Sequence, residues 1–276
     1  MTGIRDMLIQ VGEQTLVFKG NYQEWLEETL QKSIFRDKLY LKFTQYASYS
    51  RLWELSRIVD QVERFCKEQN LQARKCDILD LGCGPGNITI PLGHLGYNVT
   101  GVDIDANAIA SIEKRKKDLD NVRFICSDAL EYVRTYRGKP FHIVICTHML
   151  EHLKTPEALC CAVHKIMYKK GIFILIIPNL LGLSELLFER PAMIKRVLSI
   201  KIIPGRDHVQ SFTLKRLKLL FHNCGFQLKS ISSIASVFSL PFLGQSRFAL
   251  LELKLPLPQF MAQSWVITAQ RNHQTC

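Results

Sequence analysis

Apolar and polar positions follow one rhythm in the first quarter of the chain and a different rhythm after it. In 21–43 and 49–69, apolar residues recur at roughly every third or fourth position, with polar residues between them. That spacing places the apolar side chains on one face of a helix and is typical of amphipathic helices. The pattern therefore predicts a helical N-terminal extension over residues 1–75.

From Cys76 onward, short apolar and β-branched runs alternate with longer mixed segments. Thr155 and Pro156 are typical of a helix start, and Gly171 of a helix end. This alternation predicts a parallel, doubly wound sheet with helices on both faces. We expect a Rossmann-like α/β fold with seven strands, of which the last is antiparallel and lies at the edge. The predicted strands are 77–81, 98–104, 122–128, 141–147, 172–178, about 226–234 and 265–271, and the predicted helices are 86–95, 106–118, 129–136, 155–169 and 213–223.

The regular alternation loosens after the fifth predicted strand. Residues 180–210 form an apolar and basic stretch that is broken at Pro191. We interpret this stretch as a lid inserted over the mouth of a ligand site. The whole of 76–276 is then one domain that contains the lid and follows the helical extension.

Composition and charge narrow the class of protein. A chain of 276 residues with 47% hydrophobic and 22% charged residues is typical of a soluble globular protein. The nine cysteines include no CxxC pair, which favours reduced thiols in a cytoplasmic protein. The first residues lack the layout of a secretory signal, and the longest apolar run, 172–177, is too short to span a bilayer. The net charge of +11 fits an anionic partner or simply a basic enzyme.

A glycine-rich loop follows the first predicted strand of the sheet, where residues 78–87 read ILDLGCGPGN. Gly82, Gly84 and Gly86 permit a tight turn and a close approach of a ligand to the main chain. Dinucleotide-binding loops instead follow the spacing G-x-G-x-x-G, whose last glycine would fall at Asn87. The spacing therefore disfavours a nicotinamide dinucleotide as the ligand.

The ends of the next strands carry groups that suit a nucleoside. Asp103 follows the first loop glycine by about 20 residues, the distance at which an acidic residue holds ribose hydroxyls. Ile104 is placed to lie against an adenine ring. Asp128 is placed to accept from an adenine amino group, with Ala129 offering its backbone amide, and Thr147 ends the fourth strand at the same rim. Asp128 also suits a helix N-cap, so that alternative stays open.

These segments resemble class I S-adenosylmethionine-dependent methyltransferases. The similarity rests on DILDLGCGPG, GVDID, ICSDALEY and FHIVICTHMLEHL, followed by KKGIFILIIPN, and covers about 76–180. Residues 205–231 are similar to the segment that leads into the sixth strand of that family. The resemblance implies S-adenosylmethionine as the cofactor, with the methionine part near Asp80, Gly82, Cys83, Gly84 and Gly86, the ribose near Asp103, the adenine near Asp128, and the sulfonium near Thr147.

The residues after the fourth strand bear on the methyl acceptor. A hydroxyl acceptor needs a general base, and the candidates at the rim are His148, Glu151 and His152, together with His208. THMLEHL (147–153) resembles a Glu-x-x-Glu-His stretch of ubiquinone-biosynthesis O-methyltransferases, which is implicated there in binding a divalent cation. His148 replaces the first Glu, so we assign no metal site. A packing or capping role is the alternative for His152, and an ordinary loop position is the alternative for His208.

The sequence thus predicts methyl transfer from S-adenosylmethionine to a small or lipidic acceptor, with oxygen favoured as the acceptor atom. The segment 180–218 fits contact with an anionic membrane surface, and a lid over a soluble substrate is the alternative. The basic charge favours RNA as an alternative acceptor, but the fourth strand lacks the Asn/Asp-Pro-Pro-aromatic sequence that holds a base nitrogen. Nucleic acid is therefore the less favoured partner. A protein methyltransferase and a non-catalytic cofactor-binding protein stay open as alternatives.

Overall fold

The structure is a computed structural model that describes residues 7–11, 14–18, 54–55, 57–113, 119–178, 209–210, 212–234 and 264–272. The predicted helix over 21–43 lies outside the described residues. The same holds for 179–208, which includes most of the predicted lid together with His208.

In the part of the chain that the structure describes, the strands are β1 (Met7–Val11), β2 (Gln14–Phe18), β3 (Asp77–Leu81), β4 (Asn98–Asp103), β5 (Val122–Cys126), β6 (Phe141–Thr147), β7 (Met167–Pro178), β8 (Phe226–Ile234) and β9 (Ser264–Arg271). Strands β3 to β9 form one seven-stranded sheet in the order β5-β4-β3-β6-β7-β9-β8. The first five strands of this sheet are parallel, and β9 is antiparallel to both of its neighbours. The predicted seven-stranded Rossmann-like α/β sheet with an antiparallel last strand is therefore confirmed.

The predicted position of the last strand was wrong. Strand β9 does not lie at the edge, because Ile267 pairs with Leu175 of β7 on one side and with Ile231 of β8 on the other. Its first six residues are all buried, and a strand with two buried faces belongs inside a sheet. Strand β8 carries exposed Gln227 and Lys229 and occupies the edge instead.

Helices cover both faces of this sheet. They are α1 (57–68), α2 (Thr89–His94), α3 (Ala106–Glu113), α4 (Ala129–Thr135), α5 (Pro156–Lys165) and α6 (Leu214–Asn223). Neighbouring residues along each strand contribute to opposite cores. Ile78 and Ile143 pack with α1 on one face, whereas Leu79 and Val144 pack with α4 and α5 on the other. The apolar runs of the strands are therefore buried on both sides.

The predicted helix 155–169 is shorter than its pattern indicated. It begins at Pro156 without a side-chain hydrogen bond from Thr155, ends at Lys165, and gives way to β7 at Met167. Gly171 therefore does not end the helix but lies inside β7, near a register irregularity in its pairing with β6. A Cβ there would meet the carbonyl oxygen of His142 at 2.9 Å, so close strand approach explains this glycine.

The N-terminal region departs from the helical prediction at its start. Strands β1 (Met7–Val11) and β2 (Gln14–Phe18) form an antiparallel hairpin. Their apolar and β-branched residues favour extended backbone over the helix that the longer pattern suggested. Helix α1 is helical as predicted, and it shares a core with the sheet. The domain limits 1–75 and 76–276 stay a prediction.

The shared core predicts a stability effect for a residue that lies before residue 75. Ile58 of α1 is completely buried. We expect Ile58→Ala to lower the free energy of unfolding by about 2–5 kcal/mol, the range for emptying a packed aliphatic site. Urea denaturation of the whole chain measures this. Glu68→Ala on the exposed side of the same helix is the control, with an expected change under about 0.5 kcal/mol. Equal effects of the two substitutions would place α1 outside the cooperative core.

Candidate functional site

Three neighbouring strands end together at one edge of the sheet. Leu81 of β3 pairs with Val102 of β4 on one side and with Cys146 of β6 on the other. The glycine loop after β3 therefore lies beside Asp103, the last residue of β4, and Thr147, the last residue of β6. This edge lies outside the carboxyl ends of parallel strands, which is where open α/β sheets bind ligands.

The glycine loop presents bare main chain at this edge. Gly82, Gly84 and Gly86 have φ values of 72°, 50° and 79°, in the left-handed region that favours glycine. A Cβ on Gly82 would come within 2.9 Å of Met149 Sδ, whereas one on Gly84 would meet no atom within 4 Å. The main chain at Gly84 therefore faces open space, and we call this space the cradle.

Asp103 fixes the loop through its carboxylate. Its Oδ2 accepts a hydrogen bond of 2.7 Å from the Gly84 N–H, and its Oδ1 accepts one of 2.9 Å from the Asp105 N–H. Each carboxylate oxygen retains a lone pair for a second donor. Ile104 is 72% exposed, which leaves an apolar surface next to Asp103. The Cys83 side chain is buried against α3, and its thiol donates to the Gly84 carbonyl oxygen at 3.8 Å. The ribose and adenine assignments stay predictions.

Asp128 does act as a helix cap. The predicted strand 122–128 ends at Cys126, and Asp128 Oδ1 accepts a hydrogen bond of 2.9 Å from the Glu131 N–H at the start of α4. Ala129 begins that helix and is buried. The alternative that the sequence left open for Asp128 is therefore realised, and an adenine contact through the same side chain or through the Ala129 main chain stays a prediction.

Asp80 is a carboxyl group in the interior, directly below the loop. It is completely buried, and its Oδ2 accepts a hydrogen bond of 2.6 Å from the Thr89 hydroxyl. Its Oδ1 is buried without a hydrogen-bond partner in the described part of the chain. Burial raises the pKa of Asp80 to about 7, against the lowering effect of the Thr89 hydrogen bond and with a further rise from the Asp103 charge. A cationic ligand above the loop would favour the ionised form.

A second group of polar side chains follows β6. His148 has a φ of 50°, and its Nε2 lies 2.7 Å from Oε1 of Glu54, a residue that precedes the start of α1 by three positions. Its Nδ1 lies 3.9 Å from Oε1 of Glu151. The Glu54 and Glu151 side chains are only 6% and 2% exposed. We call Glu54, His148 and Glu151 the carboxylate–imidazole cluster.

The other two predicted catalytic residues have different surroundings. His152 is exposed at the end of a short 3₁₀ turn, Leu150–His152, away from the interior. His208 lies outside the described residues. The backbone N–H groups of Val209 and Gln210 donate to the Glu151 carbonyl at 3.0 and 2.9 Å, so the chain just after His208 reaches this region. Within the described ranges, no three His, Cys, Asp or Glu residues are placed to hold a metal ion.

Sequence reasoning missed two residues of this site. Thr89 holds Asp80, and a hydroxyl near the start of the helix after the glycine loop was the available signal. Glu54 contacts His148 across 94 positions of sequence. The sequence pattern predicts only a helical extension around Glu54, and no local pattern connects that segment with β6.

Comparison of the sequence with known proteins identifies related chains. Residues 46–231 match the family model described as a methyltransferase domain. A ubiquinone biosynthesis O-methyltransferase of Psychrobacter cryohalolentis is 31% identical over 111 residues, which are 39% of this chain and 42% of that protein. The matched stretch thus spans about two fifths of the relative's length.

Solved structures share the fold at lower identity. The magnesium protoporphyrin IX methyltransferase of Synechocystis, crystallised with bound SAH, gives a TM-score of 0.56 at 14% identity and covers 90% of this chain and 93% of that one. A SAM-dependent methyltransferase from Archaeoglobus fulgidus gives 0.58 at 20% identity, with 85% and 100% covered. At such identities these similarities establish the fold.

The buried carboxyl of Asp80 predicts a pH-dependent stability. Its folded pKa of about 7 lies above the ordinary value of 3.8, so the folded state binds the proton more tightly. The resulting stabilisation is complete below about pH 4 and is lost as the pH rises through 7, by up to about 1.4 kcal/mol per pH unit. We expect Asp80→Asn to gain stability relative to the wild type between pH 4 and 8 in urea denaturation. Asp120→Asn, at an exposed site, should show no such trend. A constant difference between wild type and Asp80→Asn over this range would contradict the assignment.

Proposed function

This chain belongs to the methyltransferase domain family, and from that premise we propose that it transfers the methyl group of S-adenosylmethionine to a small organic acceptor. The observation that carries the proposal is the cradle at Gly84, whose N–H donates to the Asp103 carboxylate, in a loop that follows the strand carrying the buried Asp80 carboxyl. Acidic groups below and beside bare main chain suit a cationic amino-acid and nucleoside ligand. They do not suit a pyrophosphate, which carries negative charge.

The residues of the site fit this cofactor, which supplies an activated methyl group when it is bound. The main chain of the glycine loop allows the methionine part to approach, and Asp80 places negative charge below its ammonium and sulfonium groups. Asp103 retains lone pairs for the two ribose hydroxyls, and the exposed face of Ile104 suits the adenine ring. Thr147 lies on the sulfonium side. Positioning the acceptor in line with the methyl carbon and the sulfur supplies most of the catalysis in such a displacement.

A hydroxyl oxygen is the favoured acceptor atom. Glu151 and His148 follow β6 at the same edge as the cradle, and a hydroxyl acceptor needs a group that takes its proton. His152, whose side chain is exposed at the acceptor entrance, and His208, which directly precedes Val209, stay candidates for the group that takes this proton. The name of the Psychrobacter relative, an O-methyltransferase of ubiquinone biosynthesis, supports the same atom.

The surface near the acceptor side supports a lipid-like acceptor. Lys215, Arg216 and Lys218 are exposed on α6, and the apolar side chains of Leu219 and Val209 are 58% and 55% exposed beside them. Basic and apolar groups together suit an interface with anionic lipid. Among the helices of the described ranges, none has the length and apolar character that crossing a bilayer requires. We therefore propose contact with a membrane surface through 180–218.

The acceptor class can be read directly by isotope transfer. The protein is incubated with deuteromethyl-labelled S-adenosylmethionine and, separately, with aqueous small molecules, organic-soluble lipids, total RNA or total protein from cells. Mass spectrometry of each fraction reports the labelled compound and the labelled atom. We expect label on oxygen in the small-molecule or lipid fraction, and none with heat-inactivated protein. Label that appears only in RNA or in protein would contradict the proposed acceptor class.

The cradle predicts a specific effect of one methyl group. In Gly84→Ala, the added Cβ enters the space proposed for the methionine part, so we expect at least a tenfold loss of affinity for S-adenosylhomocysteine, about 1.4 kcal/mol. Calorimetric titration measures this. Gly96→Ala is the matched control, because Gly96 also has a positive φ of 88° and its Cβ would meet only Ala73 Cβ at 4.0 Å.

Both substitutions carry the strain of a left-handed alanine, about 1–2 kcal/mol of stability, which thermal melting reports. Equal affinities of the two variants for S-adenosylhomocysteine would mean that the cradle is not where the cofactor binds.

A further inference from the structure

We infer that the carboxylate–imidazole cluster is the proton-accepting group of the reaction, with His148 as the catalytic base and with Glu54 and Glu151 as positioning residues. The inference rests on the proposed function and adds Glu54, which the segment before the sheet contributes. The acceptor class it implies is a hydroxyl compound.

The contact with Glu54 determines which ring nitrogen of His148 carries the proton. Nε2 lies 2.7 Å from Glu54 Oε1, within hydrogen-bond distance, and a carboxylate can only accept. In the neutral imidazole, Nε2 therefore donates to Glu54, and Nδ1 keeps an unshared electron pair. A carboxylate that orients an imidazole in this way is the arrangement by which histidine bases are held in one tautomer.

The contact between His148 and Glu151 is longer than the contact between His148 and Glu54. Nδ1 lies 3.9 Å from Glu151 Oε1, which is too long for a hydrogen bond. Neither carboxylate oxygen of Glu151 has a hydrogen-bond partner in the described part of the chain, although the side chain is only 2% exposed. A buried carboxylate without a partner is costly, and a positive charge on the imidazole would offset that cost. The cluster is therefore arranged for an imidazolium that forms during the reaction.

Exposure shows which member meets the acceptor. The His148 side chain is 24% exposed, whereas those of Glu54 and Glu151 are 6% and 2% exposed. An acceptor that enters from the open edge of the sheet therefore reaches the imidazole and not the carboxylates. Both carboxylates act through His148.

The backbone at His148 leads from β6 towards the glycine loop. His148 has a φ of 50°, and its N–H donates to the Ile176 carbonyl at 2.9 Å, so a left-handed residue is held between β6 and β7. Met149, the next residue, packs directly against Gly82 of the glycine loop. Left-handed non-glycine residues cost about 1–2 kcal/mol and are concentrated at functional sites. Here the conformation directs the chain from β6 towards the loop.

The chemical step is balanced without a further reactant. The acceptor hydroxyl gives its proton to Nδ1 of His148, and the oxygen electron pair forms a bond to the methyl carbon. The bond from that carbon to sulfur breaks, its electron pair stays on sulfur, and the neutral thioether of S-adenosylhomocysteine leaves. The imidazolium that remains is paired with Glu54 at Nε2 and faces Glu151 at Nδ1.

Substitutions within the cluster distinguish the roles of its members. His148→Asn keeps a residue that tolerates a left-handed backbone and removes the base. Glu54→Gln keeps an oxygen that accepts from Nε2, whereas Glu54→Ala removes it. Glu68→Gln, exposed on α1, is the control. The readouts are the rate of deuteromethyl transfer into the small-molecule fraction, the affinity for S-adenosylhomocysteine, and ¹⁵N NMR of the His148 ring, whose signals are identified by their loss in His148→Asn.

We expect transfer to fall at least 100-fold in His148→Asn, and by a smaller factor in Glu54→Gln than in Glu54→Ala, in line with the usual contribution of a general base. Affinity for S-adenosylhomocysteine should change less than twofold in all three. The neutral ring of the wild type should carry its proton on Nε2, and Glu54→Ala should shift the proton towards Nδ1.

Wild-type transfer in His148→Asn, or a wild-type ring with its proton on Nδ1, overturns the inference while the proposed function stands. Absence of label in every small-molecule and lipid fraction with the wild type overturns both. A loss of S-adenosylhomocysteine affinity in Glu54→Gln that matches the loss of transfer would assign the cluster to cofactor binding instead.

Discussion

Backbone pairing of β3 with β4 and β6 places Leu81 level with Val102 and with Cys146. Parallel strands in this register deliver their carboxyl ends to one edge, so the glycine loop, Asp103 and Thr147 become neighbours without any direct bond between their side chains. Packing on both faces of the sheet stabilises this register, because alternate residues along each strand are buried against different helices. The site is therefore a consequence of how the sheet packs.

Buried acid is the second property that unites the site. Asp80, Glu54 and Glu151 are each under 5% exposed as whole residues, in a chain whose net charge is +11. Burial of an ionised carboxylate is unfavourable unless a donor or a cation compensates it. Thr89 compensates part of Asp80, and His148 compensates Glu54, while Asp80 Oδ1 and both Glu151 oxygens have no partner in the described residues. The pKa of the Cys146 thiol is raised, first by burial and then by the negative charges of Glu151 and Asp80. The carboxylate of the glycine-loop side and that of the carboxylate–imidazole cluster thus both affect this one buried thiol. The uncompensated charge suits a sulfonium cofactor on one side and an imidazolium on the other.

Local patterns predicted much of the fold and part of the site. Strand periodicity and glycine spacing identify the sheet, the loop and Asp103, because these depend on residues that are close in sequence. The patterns failed where contacts between residues far apart in the sequence determine the structure. Strand β9 is buried by β8 and β7 on its two sides, and Gly171 reflects the carbonyl of His142. Glu54 is part of the cluster only because α1 packs on the sheet, which no spacing within the chain reveals.

The central claim is that the strand ends form a pocket for an adenosyl sulfonium and not for a pyrophosphate. Calorimetric titration of the wild-type protein with S-adenosylmethionine, and in parallel with a nicotinamide dinucleotide, tests it most directly. We expect saturable heat with S-adenosylmethionine and none with the dinucleotide at the same concentrations. Saturable binding of the dinucleotide together with no heat from S-adenosylmethionine would contradict it.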